Sequence, residues 1–319
     1  MGTPNASRRL ASVWGIILTV ALALGPATFA ANSDVAIFFP AIREPYRTVF
    51  SNIISGIEQG TGRSATQFEI TEAGSFGEAG AWLGEAKPKV IIALGRRGLA
   101  AAKEIEGAPP IIAGGAMLTP KDAGVGVDGI SLVADPDRLF GALQRIDPTV
   151  RRIVTVYNPE RSQWLIDYAV KAAEQRGLVL IAKPARDLRD AVRVYREIFE
   201  DRDLRGAALW LPQDPATVDT NTVLPMVLAE AWDQNRLVFS SLLGHVPRGV
   251  LFAMYPDNEA MGRSLAELAM RRISKNSSNG GIKPLKDLKF AINLRTADHL
   301  GLSFSKEQER QFDLTFPAR

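Results

Sequence analysis

Residues 87–105 read KPKVIIALGRRGLAAAKEI. The run VIIAL is bounded by Pro88-Lys89 before and Gly95 after, which is the length and punctuation of a strand buried on both faces. From 98 to 105 the apolar positions recur at helical spacing, so a strand leads almost directly into a helix. The alternation extends outward. Upstream lie DVAIFF (34–39), a helix over 46–59, TQFEI (66–70) and a helix over 76–85; downstream comes PIIAG (110–114). A second set opens after Asp135-Pro136 with a helix to 146, then RRIVTVY (151–157), a helix over 160–176, LVLIA (178–182) and a helix over 188–200. AALWL (207–211), a helix interrupted by Pro225, and RLVFSS (236–241) follow. GVLFAMY (249–255), a helix over 258–273, the polar tract 274–281 and DLKFAINL (287–294) finish the chain, with no long helix after the last strand. This pattern predicts an α/β protein of two similar lobes, each built on a parallel sheet with helices on both faces.

In such sheets ligands sit beyond the carboxyl ends of the strands. In the first lobe those ends nominate Arg43, then Gly95, Arg96 and Arg97, then Gly115 and Met117. In the second they nominate Asn158 and Arg161, Gln213 and Asp214, Ser240 and Ser241, and finally Tyr255 and Asp257. Arg96 and Arg97 enter a helix, where guanidinium forks and free N–H groups together suit a carboxylate or phosphate. Surface pairing with Glu72, Glu104 or Asp214 is the alternative. Asp214, before Pro215, either accepts from a ligand ammonium or caps the next helix. Glu160 suits the first turn of a helix, leaving Asn158 or Arg161 to face a cleft. Ser240 and Ser241 are adaptable ligand contacts or an ordinary turn. Trp82, Trp164, Trp210 and Trp232 fall within helix and strand patterns and are expected in the core. Phe38, Tyr46 and Tyr255 lie nearer the strand ends, where a ring can stack on a flat ligand.

The first thirty residues carry a different signal. Arg8 and Arg9 precede an apolar run over 10–24, Gly25-Pro26 breaks it, and Thr28-Phe29-Ala30 offers small residues to a peptidase. This reads as a secretory signal peptide cleaved after Ala30, since a spanning helix needs roughly 20 apolar residues. A retained anchor and twin-arginine export remain alternatives. Of 319 residues, cleavage leaves 289, enough for two domains, with 36 basic against 35 acidic side chains. So balanced a surface argues against nucleic-acid or anionic-membrane binding. Cysteine is absent, which excludes disulfides, thiolate metal sites, a thiol nucleophile and a lipidated cysteine. The protein is therefore expected to diffuse freely in the periplasm.

Catalytic and cofactor motifs are missing or misplaced. Gly124-Val125-Gly126-Val127-Asp128-Gly129 fits G-x-G-x-x-G by letter but precedes the strand-like ISLVA instead of following a strand, so it reads as a loop. No G-x-x-x-x-G-K-S/T phosphate loop and no G-x-S-x-G elbow occurs. The two histidines, His245 in a Gly/Pro-flanked hairpin and His299 near the end, have no partner at metal-ligand spacing. No catalytic residue, metal or cofactor is expected.

Several separated segments in order, KPKVIIALGRRGLAAAKEI (87–105), RRIVTVYNPERSQWLIDYAVKAAEQRGL (151–178), LWLPQDPATV (209–218), RGVLFAMYPDNEAMGRSLAELAMRRI (248–273) and PLKDLKFAINLRTADHLGL (284–302), give the chain a family likeness. Together they resemble the extracytoplasmic substrate-binding proteins of the tryptophan/tyrosine-type ABC transporter family. The Tyr157-Asn158-Pro159 turn and the terminal Asn293-Leu294-x-Thr296-Ala297 are the most particular features. The resemblance implies a type I periplasmic-binding-protein architecture, with two Rossmann-like lobes joined by three crossings and a ligand cleft between them. By that analogy the crossings fall near Val133-Ala134, Tyr255-Pro256 and Gly281-Ile282. The first lobe then spans 31–133 plus 257–281, and the second 134–256 plus 282–319. Its implied partners are a small molecule, with an anionic group suggested by Arg96 and Arg97, and a membrane permease that receives it from a monomer. Where relatives tend to carry a small or hydroxylated residue and proline, this chain has Gly95-Arg96-Arg97; where they carry a Thr-Asp-Pro or Ser-Asp-Pro turn, it has Gly114-Gly115-Ala116-Met117; and their Asp-Tyr-Tyr-type segment is here Tyr255-Pro256-Asp257. Aromatic amino-acid specificity is therefore not carried over. A sensory module for a receptor kinase and an exported α/β hydrolase are the competing readings.

Overall fold

Strand and helix alternate from Val35 to Ala134 in a computed structural model that describes Gly2 and residues 34–71, 76–275 and 281–317. The expected signal peptide, Glu72 and most of the polar tract 274–281 lie outside the described residues. The first run comprises β1 (Val35–Pro40), α1 (Tyr46–Thr61), β2 (Thr66–Ile70), α2 (Phe76–Ala86), β3 (Val90–Leu94), α3 (Gly95–Glu104), β4 (Ile111–Gly114), α4 (Pro120–Ala123) and β5 (Asp128–Ala134). The second comprises α5 (Pro136–Ile146), β6 (Arg152–Tyr157), α6 (Pro159–Gln175), β7 (Val179–Pro184), α7 (Leu188–Glu200), β8 (Ala208–Leu211), α8 (Val223–Asp233), β9 (Val238–Ser240) and β10 (Phe252–Pro256). The chain then returns to the first lobe with α9 (Asn258–Lys275) and β11 (Ile282–Leu285). It ends in the second with β12 (Leu288–Asn293), α10 (Leu294–His299), α11 (Lys306–Glu309) and β13 (Leu314–Phe316).

The first sheet has the order β11-β5-β4-β3-β1-β2 and every pair in it is parallel. The second has the order β13-β12-β10-β9-β8-β6-β7 and is parallel except between β10 and β12. That exception follows from the path of the chain. Strand β10 leaves the second lobe at the seam and β12 re-enters at the same seam, with Leu288 opposite Pro256, so the two must run in opposite directions.

The crossings are β5 to α5 at Ala134-Asp135, β10 to α9 at Pro256-Asp257, and β11 to β12 at Lys286-Asp287. The third differs from the Gly281-Ile282 expected from sequence. Ile282 pairs with Gly129 and Leu285 with Ala134, so residues 282–285 complete the first sheet. The strand escaped the pattern reading because it is four residues long and carries a proline. Three further expectations change. Pro225 does not interrupt its helix, because it is the third residue of α8, in the first turn, where an N–H has no carbonyl partner within the helix to lose. His245 lies not in a hairpin but in a short 3-10 helix, Leu243–Arg248, between β9 and β10, which pair in parallel. Trp232 is 41% exposed, its ring stacked on His299 at 3.5 Å.

Apolar strands fill the core as expected: Val90 to Leu94 are all buried. Phe140 meets Trp210 edge-on at 5.5 Å, and Phe38 packs with Phe68 and Trp82, which places Phe38 in the core and not at the cleft. Helix α9 is bound to the first lobe by close approach to α1. A Cβ on Gly56 would lie 2.0 Å from the Glu259 carbonyl oxygen, and one on Gly262 2.1 Å from that of Ile53.

Two predictions follow from this packing. Gly262→Ala forces the helix pair apart and should cost about 3 kcal/mol, read as a lower urea midpoint at unchanged slope. The second concerns His245, which is 1% exposed; its Nδ1 lies 2.9 Å from the Ser240 hydroxyl and its Nε2 has no partner. Burial, then the charge of Arg248, lowers its pKa from 6.5 to about 4. Between those values the unfolded chain binds the extra proton, so stability from the neutral ring is complete above about pH 6.5 and is lost as pH falls toward 4. The wild type should lose about 3 kcal/mol more than His245→Gln between pH 7 and pH 4, and parallel losses would clear His245 as the cause.

Candidate functional site

In each sheet the strand order reverses beside its first strand, between β1 and β3 and between β6 and β8. Ligand crevices form outside the strand ends at such points. Here the loops after β3 and β4 face those after β6 and β8 across a cavity of about 500 Å³, within the range of small-molecule sites. Arg96, Met117, Leu118, Thr119, Lys121, Asp122 and Val133 form one wall. Glu160, Arg161, Ser162, Trp164, Leu165, Gln213, Asp214 and Pro215 form the other.

The first wall is held by hydrogen bonds to the loop after β4. Gly115 adopts φ +67, in the left-handed region, and turns the chain out of the strand. Arg96 donates from Nη1 to Asp122 Oδ1 at 2.9 Å and from Nη2 to the Met117 carbonyl at 2.7 Å. Thr119 and Asp122 cap α4 reciprocally. Burial opposes the Asp122 charge, but hydrogen bonds from Arg96 and from the backbone and hydroxyl of Thr119 outweigh it and hold the carboxyl below its usual range.

The second wall is fastened by Asp214, which is 2% exposed. Its Oδ2 accepts the Asn158 backbone N–H at 2.8 Å and the Ser162 hydroxyl at 2.7 Å, and its Oδ1 accepts the Ala216 N–H at 3.1 Å. The carboxylate therefore ties the end of β8 to the start of α6. Asn158 caps α6 through the Arg161 N–H at 3.2 Å and donates from Nδ2 to the Arg186 carbonyl at 2.6 Å.

Five of the residues nominated from sequence meet at the cavity: Arg96, Met117, Arg161, Gln213 and Asp214. The others do not line it. Arg43 is exposed in the loop after β1. Gly95 and Gly115 are buried against Phe50, and Arg97 donates to the Thr71 carbonyl at 2.9 Å. Neither arginine pairs with Glu104 or Asp214. Asn158 is a buried cap. Ser240 is bonded to Leu211, Leu242 and His245, and Ser241 accepts the Trp210 indole N–H at 3.1 Å. Tyr255 packs beside Val246 and Ala253; Asp257 caps α9 through the Ala260 N–H at 3.0 Å. Tyr46 is 67% exposed at the start of α1. Sequence reading missed Lys121, Ser162, Leu165 and the half-buried Trp164, which had been assigned to the core. The signal that finds them is position: Trp164 and Leu165 are in the first two turns of a helix that opens at a strand end.

Among the described residues the side chains of Lys121, Glu160 and Arg161 have no hydrogen-bond or ion-pair partner, so they remain available to a ligand. A larger hollow, about 1100 Å³, runs along α7, but one lobe supplies all of its wall and its Arg193 is bridged to Asp190 and Glu197. It is a solvated helix face. Among the described residues no cluster of His, Asp or Glu could hold a metal ion.

No protein-family model matches the chain, and no curated protein matches it. Solved structures do. A substrate-binding protein with adhesive properties from Clostridium difficile, in its ligand-free open form, aligns with TM-score 0.62 and 16% identity over 89% of this chain and 99% of its own. An ABC domain in complex with L-Trp from Streptococcus pneumonia aligns with TM-score 0.49 and 15% identity over 88% and 100%, and a conserved domain protein from Vibrio cholerae with TM-score 0.49 and 18% identity over 89% and 99%. At such identities the likeness is one of fold. The chain has the α/β fold of type I periplasmic binding proteins, two lobes on mostly parallel sheets.

Proposed function

We propose that this protein is the extracytoplasmic substrate-binding component of an ABC transporter of the tryptophan/tyrosine type, exported to the periplasm by its N-terminal signal and acting as a monomer. It captures a small molecule between its lobes and hands it to a membrane permease. The observation that carries this reading is the convergence of strand ends from both sheets on one cavity whose two walls belong to different lobes. A ligand bridging such walls makes some contacts only when they meet, so it favours the closed form by its difference in affinity for closed and open states.

Charge narrows the ligand. Arg96 and Asp122 neutralise one another, and the Asp214 charge is taken up by three donors. Of the unpaired groups, Lys121 and Arg161 outnumber Glu160, which favours an anionic ligand; Arg96 and Arg97, nominated for that task from sequence, are engaged with their own lobe. Binding without turnover is supported by the one Ser–His contact among the described residues: Ser240 and His245 are 0% and 1% exposed, where no substrate reaches them.

Ligand found in a thermal-shift screen should raise the melting temperature and reduce the radius of gyration in small-angle scattering, and a tight ligand that leaves scattering unchanged would refute closure. Arg161→Ala should weaken binding at least tenfold with little loss of stability. Asp214→Ala should act in the opposite sense, costing about 3 kcal/mol because the Asn158 N–H and Ser162 hydroxyl lose their acceptor.

A further inference from the structure

Met117 differs from the rest of the first-lobe wall in how it is held. Its backbone is fixed at three consecutive residues: the Ala116 carbonyl accepts the Leu132 N–H at 2.9 Å, the Met117 carbonyl accepts Arg96 Nη2 at 2.7 Å, and the Leu118 N–H donates to Ser131 Oγ at 3.0 Å. Its side chain makes no such attachment. It is half-buried, lines the cavity, and packs against the apolar cluster that forms the core of the second lobe, on which Trp164 also rests. Leu118, its neighbour, packs into the first lobe's own core. Val133 also joins the second-lobe cluster, but it stands one residue before the end of β5, beside a crossing. Among the described residues Met117 is therefore the one cavity residue that reaches the second lobe's core from a first-lobe loop remote from the crossings.

A methionine suits that place. Three rotatable bonds and a polarisable sulfur let it fill a gap of variable shape and lie favourably against an aromatic ring. From this arrangement we infer that Met117 is the specificity-determining wall of the cleft, setting the size of apolar group admitted beside Trp164 and Leu165 while Lys121 and Arg161 receive the anionic end of the ligand. The ligand class is then an amphipathic anion, a flat or branched apolar body bearing a carboxylate. The inference rests on the cleft being the binding site.

The test uses the mature chain, its Met117→Ala and Met117→Leu variants, and Met270→Leu as a control at an exposed position on α9. Benzoate, 1-naphthoate and 9-anthracenecarboxylate serve as probes of rising size, titrated by calorimetry and followed through methionine methyl NMR. Met117→Ala should improve the affinity for the largest probe relative to benzoate about tenfold, with Met117→Leu and Met270→Leu keeping the wild-type order. Every probe that binds should move the Met117 methyl resonance and leave that of Met270 in place. An unchanged size order in Met117→Ala, or a bound probe that leaves the Met117 methyl unmoved, overturns the inference while the cleft reading stands. Failure of all three probes on every variant overturns the ligand class and with it the role of Met117; the cleft reading is then judged by the metabolite screen and scattering.

Discussion

Two backbone hydrogen bonds at the seam govern the architecture. The Asp135 N–H donates to the Leu285 carbonyl and the Asp257 N–H to that of Asp287, each at 2.9 Å. The first and second crossings are thereby laid against the third, which is also fixed to α9 by the Ser264 hydroxyl on Asp287 Oδ2 at 2.6 Å. Buried backbone polar groups must find partners, so three strands that satisfy one another cannot separate independently. The lobes share a single line of attachment, and the loops on which they face each other are set by that line. Everything attributed to the cleft depends on this seam, in which the first and second crossings are each bonded to the third.

The fold was legible because its signal is dense. A buried parallel strand such as VIIAL writes itself as consecutive apolar residues, and the other strands among the described residues repeat the message often enough that the loss of β11 or β13 does not change the fold class. The site was legible to the same depth and no further. Knowing which loops face the cleft required only strand ends; knowing which side chain on a loop faces it required the partners that bind the others. Asn158 looked like a contact and is a cap. Arg97 looked like an anion hook and holds Thr71. The motifs that carried the family resemblance share this character. Asn293 caps α10 through the Thr296 N–H at 3.0 Å while donating to Val246, and Thr296 donates to Gly249 at 3.0 Å. These are devices that start helices at strand ends, which makes them informative about fold and silent about ligand.

The arrangement divides labour between fixed and free groups. Asp214, Asn158, Ser162, Arg96 and Asp122 spend their polar capacity on the walls, so the walls hold their shape without a ligand. Lys121, Glu160 and Arg161 have side chains with no hydrogen-bond or ion-pair partner among the described residues. In the open form this costs nothing. In the proposed closure each would be drawn from water, and a charge that loses hydration must regain it from a partner. A guest that supplies an anion between Lys121 and Arg161 offsets that loss, whereas a neutral guest of the same shape leaves two cations desolvated with Glu160 as their sole counter-charge. Under the proposed function, discrimination resides in the closed state, and the same groups that select the ligand also decide whether the lobes can shut.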